Sequence, residues 1–295
     1  MKVFCEAEIP VVYEIYPKPQ NLREGNMEFS YSGDFNVVFE DGVNAAARNY
    51  LAKVLASHGI TASYSEAPVA DKTNLILGIS GAGGAADAYF ENISYDASAL
   101  TDYTDGYILS VSGRDEGTIA VLAQDASAAY FSLTTLDQML ATKPGVLSEV
   151  VIEDYADIPI RGFIEGYYGI PWGWDGRMNL VEWGATQKMN TYVYAPKDDP
   201  YHRAQWATLY PEEDCANITE LRRSRTQITS ICLDAASGRQ YQFNQRSNCK
   251  GHCKARAIIH LGVRQFGVLF DDIDVSDART AATQRPFIAA SMTNS

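Results

Sequence analysis

The sequence predicts an α/β protein, with an N-terminal α/β domain over residues 1–154 and the first half of a β/α barrel over residues 155–295. The length of 295 residues suits two domains. Segment 161–202 has the pattern of a strand, a loop, a helix and a second strand. Polar and aromatic residues directly follow successive predicted strands, which is typical of a β/α barrel.

Residues up to about 154 carry alternating strand and helix patterns. Apolar runs bounded by turn residues indicate strands, and a 3.6-residue period that stops at Gly59 indicates a helix. Asp125 is a favourable N-cap for another helix. The expected elements are strands at 37–40, 74–79, 107–111 and 118–122, helices at 46–58 and 125–140, and a connector at 146–159.

A glycine-rich segment, 81–86, matches the dinucleotide-binding pattern G-x-G-x-x-A directly after a predicted strand. Two features disfavour nucleotide binding. The surrounding domain contains a predicted hairpin, and Asp102 lies in an irregular stretch and not at a strand end. The segment is therefore interpreted as a flexible turn.

The composition disfavours several classes of function. A net charge of −13 argues against binding to nucleic acid or to an anionic membrane. No apolar stretch approaches the roughly 18 residues of a membrane span. The N-terminus as written lacks a signal peptide, since acidic residues interrupt its apolar part.

Cysteine and histidine do not predict a metal site. The five cysteines form an odd set without the spacing of a disulfide framework. Cys249, His252 and Cys253 lie close enough to bind zinc, but a fourth ligand at the usual spacing is lacking. No metal and no cofactor are expected.

In the second half of the chain, strand patterns at 160–164 and 191–194 flank a helix with Met178, Val181 and Ala185 on one face. A further apolar run at 266–270 leads into Asp271, Asp272 and Asp274. The residues after the first two strands are better suited to ligands than to a core; they are Glu165, Gly166, Tyr167, Tyr168 and Trp172, then Lys197, Asp198, Asp199, Tyr201 and His202.

Three blocks in this order, EGYYGIPW, NTYVYAPKDDPYHR and FDDID, resemble glycoside hydrolase family 84. The resemblance covers about 16–211 and 261–274. It implies a retaining β-N-acetylglucosaminidase acting on a GlcNAc-containing glycan or glycoprotein. The family includes O-GlcNAcases and proteins labelled hyaluronidases, and its members are often exported.

The resemblance also implies roles for individual residues. Asp271 would polarise the N–H of the substrate's 2-acetamido group, whose oxygen attacks the anomeric carbon. Asp272 would act as general acid and then as base for water. Two adjacent carboxylates suit this chemistry because their repulsion raises one pKa. Gly166 would meet the sugar through its backbone, and Lys197 would bind sugar hydroxyls.

The other residues after these strands have less specific roles. Asp198, Asp199 and His202 are expected to fix the loop, and Glu165 to be a structural carboxylate and not a nucleophile. Three aromatic residues follow the first strand, Tyr167, Tyr168 and Trp172. Their side chains could equally line the sugar pocket or belong to the barrel core.

Two other classes of function are compatible with parts of the sequence. Asp272 and Asp274 form a D-x-D pattern after an apolar strand, as in glycosyltransferases that use Mg or Mn. A divalent-metal requirement would favour that class. An inactive carbohydrate-binding protein is the second alternative, and binding of GlcNAc without turnover would identify it.

The barrel is expected to be only half present. A barrel needs eight strands in about 250 residues, and four strand ends are found, at Ile164, Tyr194, Leu233 and Phe270. Between 221 and 260 the chain holds eight Lys or Arg and a single acidic residue, in a protein with 37 acidic residues. We hypothesise that about 222–259 is read in a shifted frame, with a second disruption near Arg285.

The coding DNA tests this hypothesis directly. One alternative reading frame across 222–259, and one after 285, should encode an acidic, amphipathic amino-acid sequence like that found elsewhere in the chain. If neither alternative frame does so, the hypothesis is wrong and the basic segment is native.

Overall fold

The structure, a computed structural model, describes residues 13–31, 33–114, 117–197, 199–202, 205, 208–223, 230–234, 253–254, 256–263 and 265–267. By its internal contacts the chain divides into two compact units. The first is Met1–Pro159 with Thr186–Lys188, and the second is Ile160–Ala185 with Met189–Ser295. The roles of the two predicted domains, non-catalytic and glycosidase, stay predictions.

The first unit is built on a seven-stranded mixed sheet. Its elements are β1 (Asn21–Ser30), β2 (Asp34–Phe39), α1 (Ala45–Ser57), β3 (Thr61–Ser65), β4 (Thr73–Ile79), α2 (Ala85–Asn92), β5 (Thr104–Ser112), β6 (Thr118–Ala123), α3 (Ala126–Thr142) and β7 (Val146–Ala156). The strand order is β1-β7-β5-β6-β4-β2-β3. The strands and helices predicted in this half are confirmed, including the antiparallel pair of β5 and β6.

The prediction of a connector at 146–159 is wrong, because β7 pairs antiparallel with both β1 and β5. Val150 and Ile152 are fully buried, while the alternate residues Glu149 and Glu153 are only partly buried. The period of two is hidden because the buried face also carries the polar residues Ser148 and Asp154, while Val151 lies on the other face. β1 was also missed, since eight of its ten residues are exposed.

The long helix α3 forms much of the core of this unit. Leu133, Leu136 and Leu140 are fully buried in it. Asp125 is its N-cap, as predicted, and Oδ1 accepts from the backbone N–H groups of Ser127 at 2.8 Å and Ala128 at 2.9 Å. Two donors that the helix itself cannot satisfy are thereby paired.

The glycine-rich segment is a turn, as predicted, and it opens α2, which was not predicted. Its backbone N–H groups are taken by the protein's own carboxylates. Asp87 accepts from Gly81 at 3.1 Å and from Gly83 at 2.7 Å, and Glu40 accepts from Ala86 at 2.7 Å. These groups would otherwise be the donors for a bound phosphate. The geometry therefore agrees with the interpretation as a turn.

The second unit contains a four-stranded parallel sheet. Its elements are β8 (Gly162–Glu165), α4 (Trp174–Thr186), β9 (Thr191–Tyr194), α5 (Glu212–Arg223), β10 (Ser230–Asp234) and β11 (Gln265–Gly267). Neighbours in the sheet follow the order of the chain, β8, β9, β10 and β11. Sequential parallel strands with intervening helices are the β/α-barrel pattern, so the predicted fold class is confirmed.

The core of this unit includes a residue of the basic stretch. Ile258, in the helical residues 256–260, is 5% exposed and packs with Val181, Tyr192 and Ile218. The end of the predicted strand at 266–270 lies outside the described residues. Within the described part of the chain, no helix is both long and apolar enough to cross a membrane.

The N-cap of α3 gives a test of the fold of the first unit. Asp125→Ala should lower the free energy of unfolding by about 0.5–2 kcal/mol, because two backbone donors lose their acceptor. Asp102→Ala, at an exposed position, is the matched control and should change it little. Urea unfolding followed by circular dichroism measures both. Equal effects of the two substitutions would contradict the capping role.

Candidate functional site

The candidate site is formed by the loops that follow β8 and β9. The two strands are parallel neighbours, and Glu165, the last residue of β8, pairs with Tyr194, the last residue of β9. Their carboxyl ends therefore lie side by side. This geometry brings together the segment that begins at Gly166 and the segment that carries Lys197.

Glu165 ties the first of these loops to the rest of the unit. Its carboxylate is fully buried and forms a bidentate ion pair with Arg177 of α4, from Nε at 2.8 Å and from Nη2 at 3.0 Å. It also accepts from the backbone N–H of Trp172 at 3.0 Å and from the hydroxyl of Tyr192. Both oxygens are used within the protein, in agreement with the predicted structural role.

Aromatic groups enclose this ion pair. The guanidinium carbon of Arg177 lies 4.5 Å from the ring centroid of Trp174 and 4.9 Å from that of Tyr194. Burial and the hydrogen bond to Glu165 raise the pKa of Tyr192 above its ordinary value, so its hydroxyl stays protonated and donates. The pair is thus desolvated but has its hydrogen bonds satisfied.

Asp199 fixes the second loop, as predicted. One oxygen accepts from the hydroxyls of Tyr194 at 2.8 Å and Tyr210 at 3.1 Å. The other accepts from the backbone N–H groups of Tyr201 at 2.7 Å and His202 at 3.2 Å. His202 is completely buried, which agrees with its predicted part in the loop.

Lys254 supports the same loop from the basic stretch. Its Nζ donates to the carbonyl of Tyr201 at 2.5 Å and lies 4.5 Å from the ring centroid of Tyr210. Burial lowers the pKa of Lys254 to about 8, and the charge of Asp199 opposes this effect.

The aromatic residues of the first loop are exposed, so they do not lie in the core formed by the described residues of this unit. Tyr168 is 68% exposed, and Tyr167 and Trp172 are each 37% exposed. Ile170, between them, is 90% exposed. Lys197 Nζ lies 6.0 Å from the ring centroid of Tyr168. A cation and several apolar faces are therefore presented together at these strand ends.

Gly166 is not required by local packing. Among the described residues, a Cβ at this position would approach only the side chain of Ile164, at 3.4 Å, which is ordinary contact. Its φ is also outside the positive region that favours glycine. The space left by the missing side chain is therefore available to a ligand.

Several predicted site residues lie outside the described residues. They are Asp271, Asp272 and Asp274, together with Asp198, Cys249 and His252. Among the residues that the structure describes, no group of three or more potential ligands is placed to hold a metal ion.

Sequence reasoning missed Arg177 and Tyr210. Arg177 lies four residues before Val181 on the apolar face of α4, and that position was a usable signal. A charged residue on a buried face requires a buried partner of opposite charge. Tyr210 lies in an irregular segment, and nothing in its spacing pointed to Asp199.

An α/β domain followed by β/α-barrel units, with sugar-suited residues at the strand ends, defines the class of barrel glycoside hydrolases. Residues 161–294 match the family model for beta-N-acetylglucosaminidase, and residues 12–155 match that for domain 2 of glycosyl hydrolase family 20. The first match runs across the basic stretch 222–259.

Individual relatives agree with these matches. The solved structure of CpGH84D is 34% identical, with a TM-score of 0.82, over 95% of this chain and 48% of that one. CpGH84B is 26% identical, with a TM-score of 0.80, over 94% of this chain and 46% of that one. Protein O-GlcNAcase of Mus musculus is 30% identical over 161 residues, which are 51% of this chain and 18% of that protein.

Together these matches support glycoside hydrolase family 84 as the family of this chain. It spans about half the length of the two solved relatives and about a fifth of the mouse protein. The activity of the family therefore enters below as a proposal for this chain.

The buried ion pair gives a second test. Arg177→Met should lower the free energy of unfolding of the second unit by about 3–5 kcal/mol, because Glu165 is left as an uncompensated buried charge. All four tryptophans lie in this unit, so their fluorescence in urea reports its unfolding.

The double variant Glu165→Gln/Arg177→Met is the control, since it removes both charges and should recover part of the loss. Glu165→Gln alone completes the cycle. If the loss of unfolding free energy in the double variant equalled the sum of the losses in the two single variants, the pair would not be coupled.

Proposed function

We propose that this chain carries part of the site of a β-N-acetylglucosaminidase, which removes terminal β-linked GlcNAc from a glycan or glycoprotein with retention of configuration. The observation that carries the proposal is the juxtaposition of the loops of Gly166 and Lys197 at adjacent strand ends, in a chain of family 84. Neither a cofactor nor a metal is part of the proposal.

In this proposal Gly166 offers its backbone to the sugar, where no side chain blocks approach. Lys197 donates hydrogen bonds to sugar hydroxyls. Asp271 orients the 2-acetamido group so that its oxygen attacks the anomeric carbon and forms an oxazoline. Asp272 protonates the leaving oxygen as its bond to the anomeric carbon breaks. It then takes a proton from the water that attacks the anomeric carbon and opens the oxazoline ring.

The role of Glu165 supports the substrate-assisted route over double displacement. A nucleophilic carboxylate needs an oxygen free to attack the anomeric carbon. Both oxygens of Glu165 are hydrogen-bonded within the unit, and its side chain is fully buried. Glu165 is therefore not proposed as the nucleophile, and the attacking group in this proposal is the substrate's own acetamido oxygen, as the resemblance to family 84 implies.

We further propose that the 295-residue chain is impaired as an enzyme, which keeps an inactive carbohydrate-binding protein as the alternative. Within the described residues, β8 pairs only with β9, and its other edge is open. Ile160 and Ile164 are 66% and 61% exposed. An open sheet edge beside the Gly166 loop would hold a sugar less rigidly, and because positioning provides much of a glycosidase's rate, turnover should fall by several powers of ten.

The acid role of Asp272 predicts a dependence on the leaving group. Asp272→Asn should nearly abolish hydrolysis of an aryl β-N-acetylglucosaminide whose leaving group needs protonation, and should reduce it less for a very acidic phenol. Asp271→Asn is the matched control and should slow both substrates alike. An aryl β-glucoside, which lacks the acetamido group, should not be cleaved. If Asp272→Asn reduced the rate of hydrolysis equally for both leaving groups, Asp272 would not be the general acid.

The impaired state predicts the behaviour of the purified chain. The exposed apolar edge should bind a hydrophobic dye and promote aggregation, while residues 1–154 alone should stay soluble. Size-exclusion chromatography and dye fluorescence test both expectations. A monodisperse full-length chain with ordinary turnover of an aryl GlcNAc substrate would show that the proposed impairment is wrong.

A further inference from the structure

The first unit carries a groove that the proposed reaction does not use. The groove has a volume of about 720 Å³ and is lined by parts of β1, β5, β7 and α2. Sites for small molecules typically enclose about 300–1,000 Å³. The groove therefore has room for a ligand of one or two sugar residues.

The charges along this groove are balanced. Among the described lining residues, Arg23 and Arg114 contribute two positive charges and Glu24 and Glu149 two negative ones, so the formal sum over these residues is zero. A phosphate or a sulfate would meet two carboxylates, and a cation would meet two guanidinium groups. A neutral polar ligand is the class that this arrangement favours.

The hydrogen-bonding groups in the groove favour hydroxyls in the ligand. Guanidinium groups only donate and carboxylates only accept, whereas a sugar hydroxyl does both and can bridge one to the other. The hydroxyl of Tyr89 lies 3.1 Å from that of Ser110 on the groove wall. Burial raises the pKa of Tyr89, so its hydroxyl stays protonated and can donate a hydrogen bond.

Gly25 allows the groove to keep its shape. A Cβ at this position would lie 2.4 Å from Oε2 of Glu149. The absence of a side chain in β1 therefore lets the Glu149 carboxylate occupy this space, next to the bulge between Glu24 and Glu28. Ile93, also on the lining and 43% exposed, offers an apolar contact for a methyl group.

We propose that this groove is a second carbohydrate-binding site, which takes a 2-acetamido sugar of the glycan through hydroxyl contacts to Arg114 and Glu149 and a methyl contact to Ile93. The choice of a 2-acetamido sugar rests partly on the proposed function. The site holds the glycan and carries out no chemistry.

Photoaffinity labelling of the full-length chain tests the proposal. The probe is a β-GlcNAc glycoside with a diazirine on its aglycone, and labelled peptides are located by mass spectrometry, with free N,N′-diacetylchitobiose as competitor. We expect competed labelling in peptides that contain 89–94, 110–114 or 149–151.

Variants connect the labelling to the groove. Glu149→Gln should reduce it about tenfold, as expected for the loss of a charge-assisted hydrogen bond. Glu66→Gln makes the same change at an exposed position outside the groove and should leave labelling unchanged. Ser112→Phe, which fills the groove from β5, should abolish it. Circular dichroism tests whether each variant is folded. If Glu149→Gln does not fold, the result for Ser112→Phe decides between the outcomes.

The location of the label separates this proposal from the proposed function. Labelling confined to peptides of 165–197, or no labelling at all, overturns the second site. Labelling of the groove that persists in both groove variants also overturns it. Labelling of the groove alone, with no competed labelling in peptides of 165–197, supports the second site and counts against the proposed sugar contacts at Gly166 and Lys197.

Discussion

The second unit depends on the ion pair of Glu165 and Arg177. A carboxylate without solvent exposure is stable as an anion only when a cation and hydrogen bonds replace the water it has lost. Here the partners come from the loop after β8, from α4 and from β9. One buried charge therefore fixes the relative positions of three elements, and the start of the Gly166 loop with them.

The loop after β9 is built by the same principle with a different carboxylate. Asp199 joins two backbone N–H groups to the hydroxyls of Tyr194 and Tyr210. Tyr194 also stacks on Trp174, whose ring lies against Arg177, so the two networks share side chains. Buried polar groups hold the frame of the site, while Tyr168 and Ile170 are left facing solvent. Such a division suits binding sites, in which rigid support positions the exposed contacts.

The sequence predicted those elements that depend on interactions between residues close together in the chain. The strand Thr191–Tyr194, the cap at Asp125 and the stop at Gly59 follow from apolar period, side-chain acceptors and a positive φ, all of which a short window contains. β7 was missed because its buried face carries the polar residues Ser148 and Asp154 and its other face carries Val151, so apolar and polar residues do not alternate regularly. The partners of Asp199 all lie within eleven residues of it, but the sequence there has no helical or strand period from which these contacts could be predicted.

In the turn at Gly81–Gly83, the backbone N–H groups of a glycine-rich loop are bound by carboxylates of the same protein. Asp87 and Glu40 take the place that an anion would occupy, so the loop is in effect already liganded by the protein. A phosphate group would have to displace two carboxylates whose position beside α2 is set by the chain itself. Glycine spacing reports only that donors are available. The nearest acidic side chains decide whether those donors remain open to an outside molecule.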